Sequence, residues 1–172
     1  MIDFLEKKYL HRLTLKPKTI LIKEGAIAEQ IYFINSGCIR SWLNKEGREI
    51  TLQFFFEEES VTALESFLNQ TLSPIYIETV EACDVYVIKR EDFFGSLENE
   101  RFRNFFHETA IKKLIIHGNR LMSLLKNKPA ERYRQLLVDH PHIIKRIPQH
   151  YIASYLGITS VSLSRIRNRL NR

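Results

Sequence analysis

Two hydrophobic periods divide the chain. Between residues 19 and 88 the apolar positions fall in short runs rich in β-branched and aromatic residues. These are TILI (19–22), QIYFIN (30–35), CIRSWL (38–43), EITLQFFF (49–56), IYIETV (75–80) and VYVI (85–88). Glu24-Gly25, Ser36-Gly37 and Glu46-Gly47 punctuate them as turns. Strands this short between turns this regular predict an antiparallel barrel or sandwich with its apolar faces inward. After Phe94 the spacing becomes helical. Phe102, Phe106, Ala110, Leu114, His117, Leu121 and Leu125 follow in steps of three or four, one stripe over about six turns. Phe105, Ile111, Ile115 and Met122 widen it. A helix so long and so broadly apolar exceeds what one small barrel covers, which predicts packing against a second copy; the alternative is a helix lying wholly on its own domain.

Gly118 and Asn119 interrupt this helix without ending it, because Leu121 and Leu125 resume the stripe. The break comes at Asn127-Lys128-Pro129, where Pro at a first helical position starts a separate helix through about Val138, and Asp139-His140-Pro141 stops it. No internal repeat or low-complexity segment is present. The expectation is an α+β chain in three parts: an antiparallel β-roll or jelly-roll over 1–98, a long dimerisation helix over 99–126, and a small helical domain over 127–172.

Within that last part, residues 149–168 read as a helix-turn-helix. Ile152 and Leu156 form the inner face of a first helix, and Ala153 is small where a second helix must approach. Gly157 supplies the positive φ of a sharp turn, and Thr159 can cap the next helix. Leu163, Ile166 and Leu170 give the second helix a buried stripe, leaving Ser160, Val161, Ser164, Arg165 and Asn168 on a face suited to a DNA major groove. The competing reading is an ordinary helical hairpin.

Charge changes the picture in the same direction. The net charge of +6 is uneven: residues 126–172 carry ten Lys/Arg against Glu131 and Asp139, a net of +8, leaving sixteen cations and eighteen acids, a net of −2, in residues 1–125. A basic tail on a mildly acidic body suits a polyanionic partner, although a solvated tail has the same composition. Cys38 and Cys83, 45 positions apart with no CxxC, signal neither a disulfide scaffold nor a cysteine-held metal. No uncharged apolar run approaches the ~18 residues of a membrane span, and the start lacks a basic region followed by an apolar stretch. A soluble cytoplasmic protein is expected, with no membrane partner.

The residues also carry a family resemblance. The stretch KEGAIAEQIYFINSG (23–37), the Glu46-Gly47 turn, IPQHYIASYLGIT (147–159) and LSRIR (163–167) are similar to a divergent branch of the Crp–Fnr transcription regulators. The resemblance implies a cyclic-nucleotide-binding-type β-roll, a dimerisation helix and a helix-turn-helix, in that order. It puts base-edge contacts at Ser160, Val161 and Arg165, and phosphate contacts at Gln149, Thr159 and Ser162. Arg165 can donate two bonds to guanine O6 and N7. The further cations Lys145, Arg146, Arg167, Arg169 and Arg172 are expected on phosphates. The family usually has a β wing after the recognition helix, and here the sequence ends at Arg172, so these cations are expected to stand in for it. The dimer interface is assigned to Phe106, Ala110, Leu114, His117, Leu121 and Leu125, with double-stranded DNA as partner and RNA polymerase a further candidate.

Nucleotide-binding members have Gly-Glu at the start of a short helix and an arginine some ten residues later that pairs with the cyclic phosphate. Here that stretch is SVTALESFLNQTLSP (60–74), with neither feature. Residues 49–88 hold eight acids and no Lys or Arg, so an anionic ligand there is expected to meet repulsion without a charged partner. Glu65 and Ser73 remain weak effector-pocket candidates, Glu65 either holding a ribose hydroxyl or facing solvent. The effector is unknown or absent, and no cofactor is called for. The cysteine cluster of iron–sulfur members is missing, and His107 and His117 lie on the long helix, where His117 reads as an interface residue.

Two other function classes compete. A cupin-like enzyme needs imidazoles inside its barrel, and no histidine lies between His11 and His107. A β-roll interaction or small-ligand-sensing module with a protein-binding helical tail is countered by the basic tail and the helix-turn-helix spacing.

Overall fold

A computed structural model of the chain describes residues 9–170. Eight strands precede the long helix: β1 (His11–Leu15), β2 (Ile20–Ile22), β3 (Gln30–Ser36), β4 (Ile39–Lys45), β5 (Arg48–Phe55), β6 (Ser60–Val61), β7 (Tyr76–Thr79) and β8 (Cys83–Lys89). They pair antiparallel in two four-stranded sheets, ordered β1-β8-β3-β6 and β2-β7-β4-β5. Alternation places Ile31, Phe33, Val85, Val87, Ile39 and Ile77 in a shared core between them. The mixed α+β class and the antiparallel sheets expected from the sequence are present, with two strands added. β1 and β6 escape a reading by local pattern: β1 is largely exposed, and β6 is two residues long.

Gly37 sets the β3–β4 turn. Its φ is +104°, and a Cβ there would lie 2.5 Å from the Ala82 carbonyl oxygen and 2.6 Å from the Cys83 sulfur, so a larger residue would push β8 away.

Short helices α1 (Leu64–Asn69) and α2 (Arg90–Ser96) flank the sheets, and α3 (Glu100–Lys126) follows. Asn99 caps α3, its side-chain oxygen accepting from the N–H groups of Arg101 and Phe102. The remainder is helical: α4 (Pro129–Asp139), α5 (Pro141–Arg146), α6 (Gln149–Tyr155) and α7 (Ser160–Leu170). Pro141, expected only to stop a helix, also starts α5, since a first helical position needs no N–H donor.

A second core joins the two halves. Cys38 and Phe54 of the sheet are buried with Tyr133, Ile143, Tyr151, Ile152 and Leu163 of the helices. The seam also satisfies the sheet edge. β5 is the outer strand, and the Ser154 hydroxyl accepts from the Thr51 N–H at 2.9 Å and donates to the Glu49 carbonyl at 2.7 Å. Arg40, 1 % exposed, lies across from Glu78 in the β4–β7 register, donates to Glu78 and Glu49, and packs 3.7 Å from the ring centre of Tyr151 on α6.

Candidate nucleic-acid interface

The last two helices form around one turn. α6 closes with Leu156 N–H bonding to the Ile152 carbonyl, and Gly157 takes φ +69° so that Ile158 N–H can reach back to the Ala153 carbonyl at 3.0 Å. Thr159 then caps α7, its hydroxyl accepting from the Ser162 N–H at 3.2 Å. Leu163 is 1 % exposed against α6, with Ile166 and Leu170 packed on the same cluster. Ser160, Val161, Ser164, Arg165 and Asn168 all face solvent, Val161 at 61 % exposure.

The phosphate candidates fare differently. Gln149, Lys145 and Arg169 are exposed, while Ser162 and Arg167 are half-buried, and Arg172 lies outside the described residues. Thr159 already uses its hydroxyl on the cap and on Ser162. Arg146 is committed elsewhere: its two terminal nitrogens each donate at 2.8 Å to Glu57, and it also bonds Glu81. This pairing holds the Glu57 carboxyl down to about 2 and raises the Arg146 guanidinium further.

Two other arginines position the pair of helices without having been legible beforehand. Arg132 on α4 donates to the Leu156 carbonyl at 2.7 Å and the Asn127 carbonyl at 2.6 Å, tying the α6–α7 turn to the end of α3. Arg120 on α3 donates to the Tyr155 carbonyl at 2.9 Å and the Thr51 carbonyl at 3.2 Å, with its guanidinium 3.6 Å from the Tyr155 ring centre. Each bonds at least one backbone carbonyl remote in sequence, which residue type and period do not reveal.

The long stripe of α3 divides. Phe102 is buried in the roll core, Phe106 packs on Phe93 at 5.0 Å between ring centres, and Ala110 is half-buried. Beyond them Leu114, Leu121 and Leu125 stand 72 %, 58 % and 76 % exposed, next to exposed Ile111, Ile115 and Met122. His117 is exposed beside them, its pKa lowered by desolvation and then by Lys113 and Arg120. The stripe read as one surface from the sequence is therefore two, an upper part packed on the roll and a lower apolar part open to solvent.

The acid-rich segment also departs from expectation. Five of its eight acids have cationic partners from outside residues 49–88: Glu49 and Glu78 bond Arg40, Glu57 and Glu81 bond Arg146, and Asp84 bonds Arg12. Glu65 is exposed on α1, and Ser73 is buried with its hydroxyl donating to the Ile75 carbonyl.

Residues 12–100, which hold the two sheets apart from His11 together with α1 and α2, match the family of cyclic nucleotide-binding domains. The chain belongs to that family. No curated protein matches the sequence. Among solved structures, FixK2 of Bradyrhizobium japonicum is 16 % identical and superposes over 94 % of this chain and 84 % of its own, with a TM-score of 0.80. The c-di-GMP-responsive global regulator CLP of Xanthomonas campestris is 19 % identical over 95 % and 87 %, with a TM-score of 0.76. A crp/fnr-family protein from Eubacterium rectale is 19 % identical over 96 % and 80 %, with a TM-score of 0.75. The similarity of fold thus runs through the helical part as well as the cyclic nucleotide-binding domain.

In this cyclic nucleotide-binding domain Ser66 and the α2 residue Arg90 tie the α1 segment to its surroundings. Ser66 accepts from the Ala28 N–H at 2.9 Å and donates to the Thr71 carbonyl at 2.6 Å, and Arg90 donates to the Phe67 carbonyl at 2.8 Å. Both cysteines are buried free thiols whose pKa values burial raises, Cys83 to about 11, so neither is a ready nucleophile. Among the described residues no helix is long and apolar enough to cross a membrane, and no cluster of three metal-ligating side chains occurs.

Proposed function

We propose that the chain is a homodimeric, sequence-specific DNA-binding transcription regulator whose α6–α7 pair acts as a helix-turn-helix. The observation that carries this reading is the exposed face of α7, where Val161, Arg165 and Asn168 project opposite the buried Leu163. A helix held this way can enter a major groove, with Val161 against a thymine methyl and Arg165 on a guanine. Lys145 and Arg169 supply phosphate contacts at its margins, and the open apolar half of α3 supplies the dimer seam. Two such helices, about 34 Å apart, read a pseudo-palindrome.

The cyclic nucleotide-binding domain serves here as a sensor or scaffold that does not take cyclic nucleotides. The α1–β7 stretch provides no arginine for a cyclic phosphate, and Arg40, the buried cation of the second sheet, faces α6 rather than the roll interior. A salt titration on duplex DNA tests the core of the proposal. The logarithm of affinity should fall linearly with the logarithm of salt concentration as phosphate contacts release counterions. The absence of binding at low salt would instead favour a tail that binds protein.

A further inference from the structure

At Arg120 of α3 the three parts of the chain meet. A single terminal nitrogen of its guanidinium, Nη2, donates to the Thr51 carbonyl of β5 at 3.2 Å and to the Tyr155 carbonyl at the end of α6 at 2.9 Å. The same guanidinium lies 3.6 Å from the Tyr155 ring centre. Thr51 is held from α6 as well, its N–H donating to the Ser154 hydroxyl. The Leu156 carbonyl, next along the chain, accepts from Arg132 of α4 at 2.7 Å, and Arg132 also reaches the Asn127 carbonyl just past the end of α3. Consecutive carbonyls at the entry to the α6–α7 turn are therefore gripped from α3 and from α4.

None of these bonds shapes the helix pair itself. The turn closes on its own groups, with the Gly157 N–H on the Ser154 carbonyl and the Ile158 N–H on the Ala153 carbonyl, each at 3.0 Å, and Leu163 buries α7 against α6. The arginine bonds instead fix where the pair sits relative to α3. A planar guanidinium has few ways to serve two carbonyls and one ring face at once, so the placement is narrow. Leu121, the next residue of α3, is part of the open apolar stripe. Grip and stripe thus share one turn of one helix. In a twofold dimer any displacement at such a joint counts twice. Base pairs rise about 3.4 Å along a duplex, so a shift of about 1.7 Å in each subunit changes the separation of the two α7 helices by one base pair. Resting on the reading of α7 as a recognition helix and of the α3 stripe as the dimer seam, we infer that Arg120 is a specificity-determining residue: it sets the spacing between the two half-sites and leaves the bases within each half-site to α7.

Selection by the full chain from duplexes that carry the half-site twice, separated by spacers of graded length, tests it. The unmodified chain should enrich one spacer length. Arg120→Gln should enrich several lengths and lose about tenfold or more of its preference for the original one, the scale of a lost charge-assisted hydrogen bond, with the half-site bases unchanged. Both proteins should bind a duplex with a single half-site equally well, a readout that a misfolded α6–α7 pair would fail. Arg120→Lys, which keeps the charge but not the fork, should fall between them, and it decides where Arg120→Gln fails to fold. An unchanged spacer preference in the folded variants, or altered half-site bases in either, would overturn the role of Arg120 and leave the regulator reading intact. A chain that selects sequence but shows no spacer preference before any substitution would overturn the role of Arg120 and the symmetric pair together.

Discussion

Arg146 grips Glu57 with a two-bonded fork, each bond 2.8 Å, across the seam between α5 and the loop after β5. An arginine expected on DNA phosphate thereby ties the loop after β5 to the helical part of the chain. The depressed Glu57 pKa sets a pH window. The interaction contributes fully above the ordinary value near 4.5 and is lost as pH falls through about 2. Carbon-detected NMR of the Glu57 carboxyl should show this low midpoint, and Arg146→Met should raise it towards the ordinary value. An unshifted midpoint would mean that the fork does not persist in solution. Arg146→Met should also leave the salt slope of DNA binding nearly unchanged, because the side chain is already spent.

The open half of α3 makes a second claim measurable. Leu114→Glu with Leu121→Glu places carboxylates on a seam that would bury them without partners, a cost of several kcal/mol per unpaired charge. Sedimentation should show the unmodified chain as a dimer and the double variant as a monomer. Both residues are more than half exposed in the single chain, so its own fold should survive the change. Identical sedimentation of the two proteins would remove α3 as the seam.

Cyclic AMP and cyclic GMP should give no calorimetric binding at micromolar concentration. The α1 helix carries no Lys or Arg, and Arg90 of α2, which reaches it, donates to the Phe67 and Leu68 carbonyls. Micromolar affinity for either nucleotide would show that backbone groups alone suffice there.

Arg165→Ala separates specificity from charge. Loss of a two-bonded guanine contact should cost about 1–3 kcal/mol on the specific site and leave scrambled duplex almost unaffected. Lys145→Ala, a phosphate candidate, should weaken both duplexes alike and reduce the salt slope by about 1. Competition titrations at two salt concentrations distinguish the two patterns, and equal losses on both duplexes for Arg165→Ala would make it a phosphate contact.

The parts of this molecule that could be read from sequence are those whose forces are local. The α3 period and the Gly157 turn with its Thr159 cap close within a few residues, β4 and β5 pair through the short Glu46-Gly47 turn, and β3 shows in its own apolar run although it pairs with the distant β8. What escaped reading depends on distant partners. β1 reads as HRLTL, largely polar and exposed, and is held by pairing with β8 and by Arg12 on Asp84, 72 positions away. Residues 49–88 hold no Lys or Arg of their own, and a cation from outside, Arg146, reaches Glu57 from 89 positions downstream. Arg40 reads as a polar residue in the CIRSWL run, yet it sits buried beneath Tyr151 and pairs with two of those acids.

The central claim is that α7 reads a base sequence as one of a symmetric pair. Selection of bound duplexes from a random pool by the full chain tests it most directly. The enriched sequences should converge on a pseudo-palindrome whose half-sites lie about one helical turn apart, with guanine at the position contacted by Arg165. Recovery of duplexes with no shared sequence, or of none at all, would contradict a sequence-reading regulator.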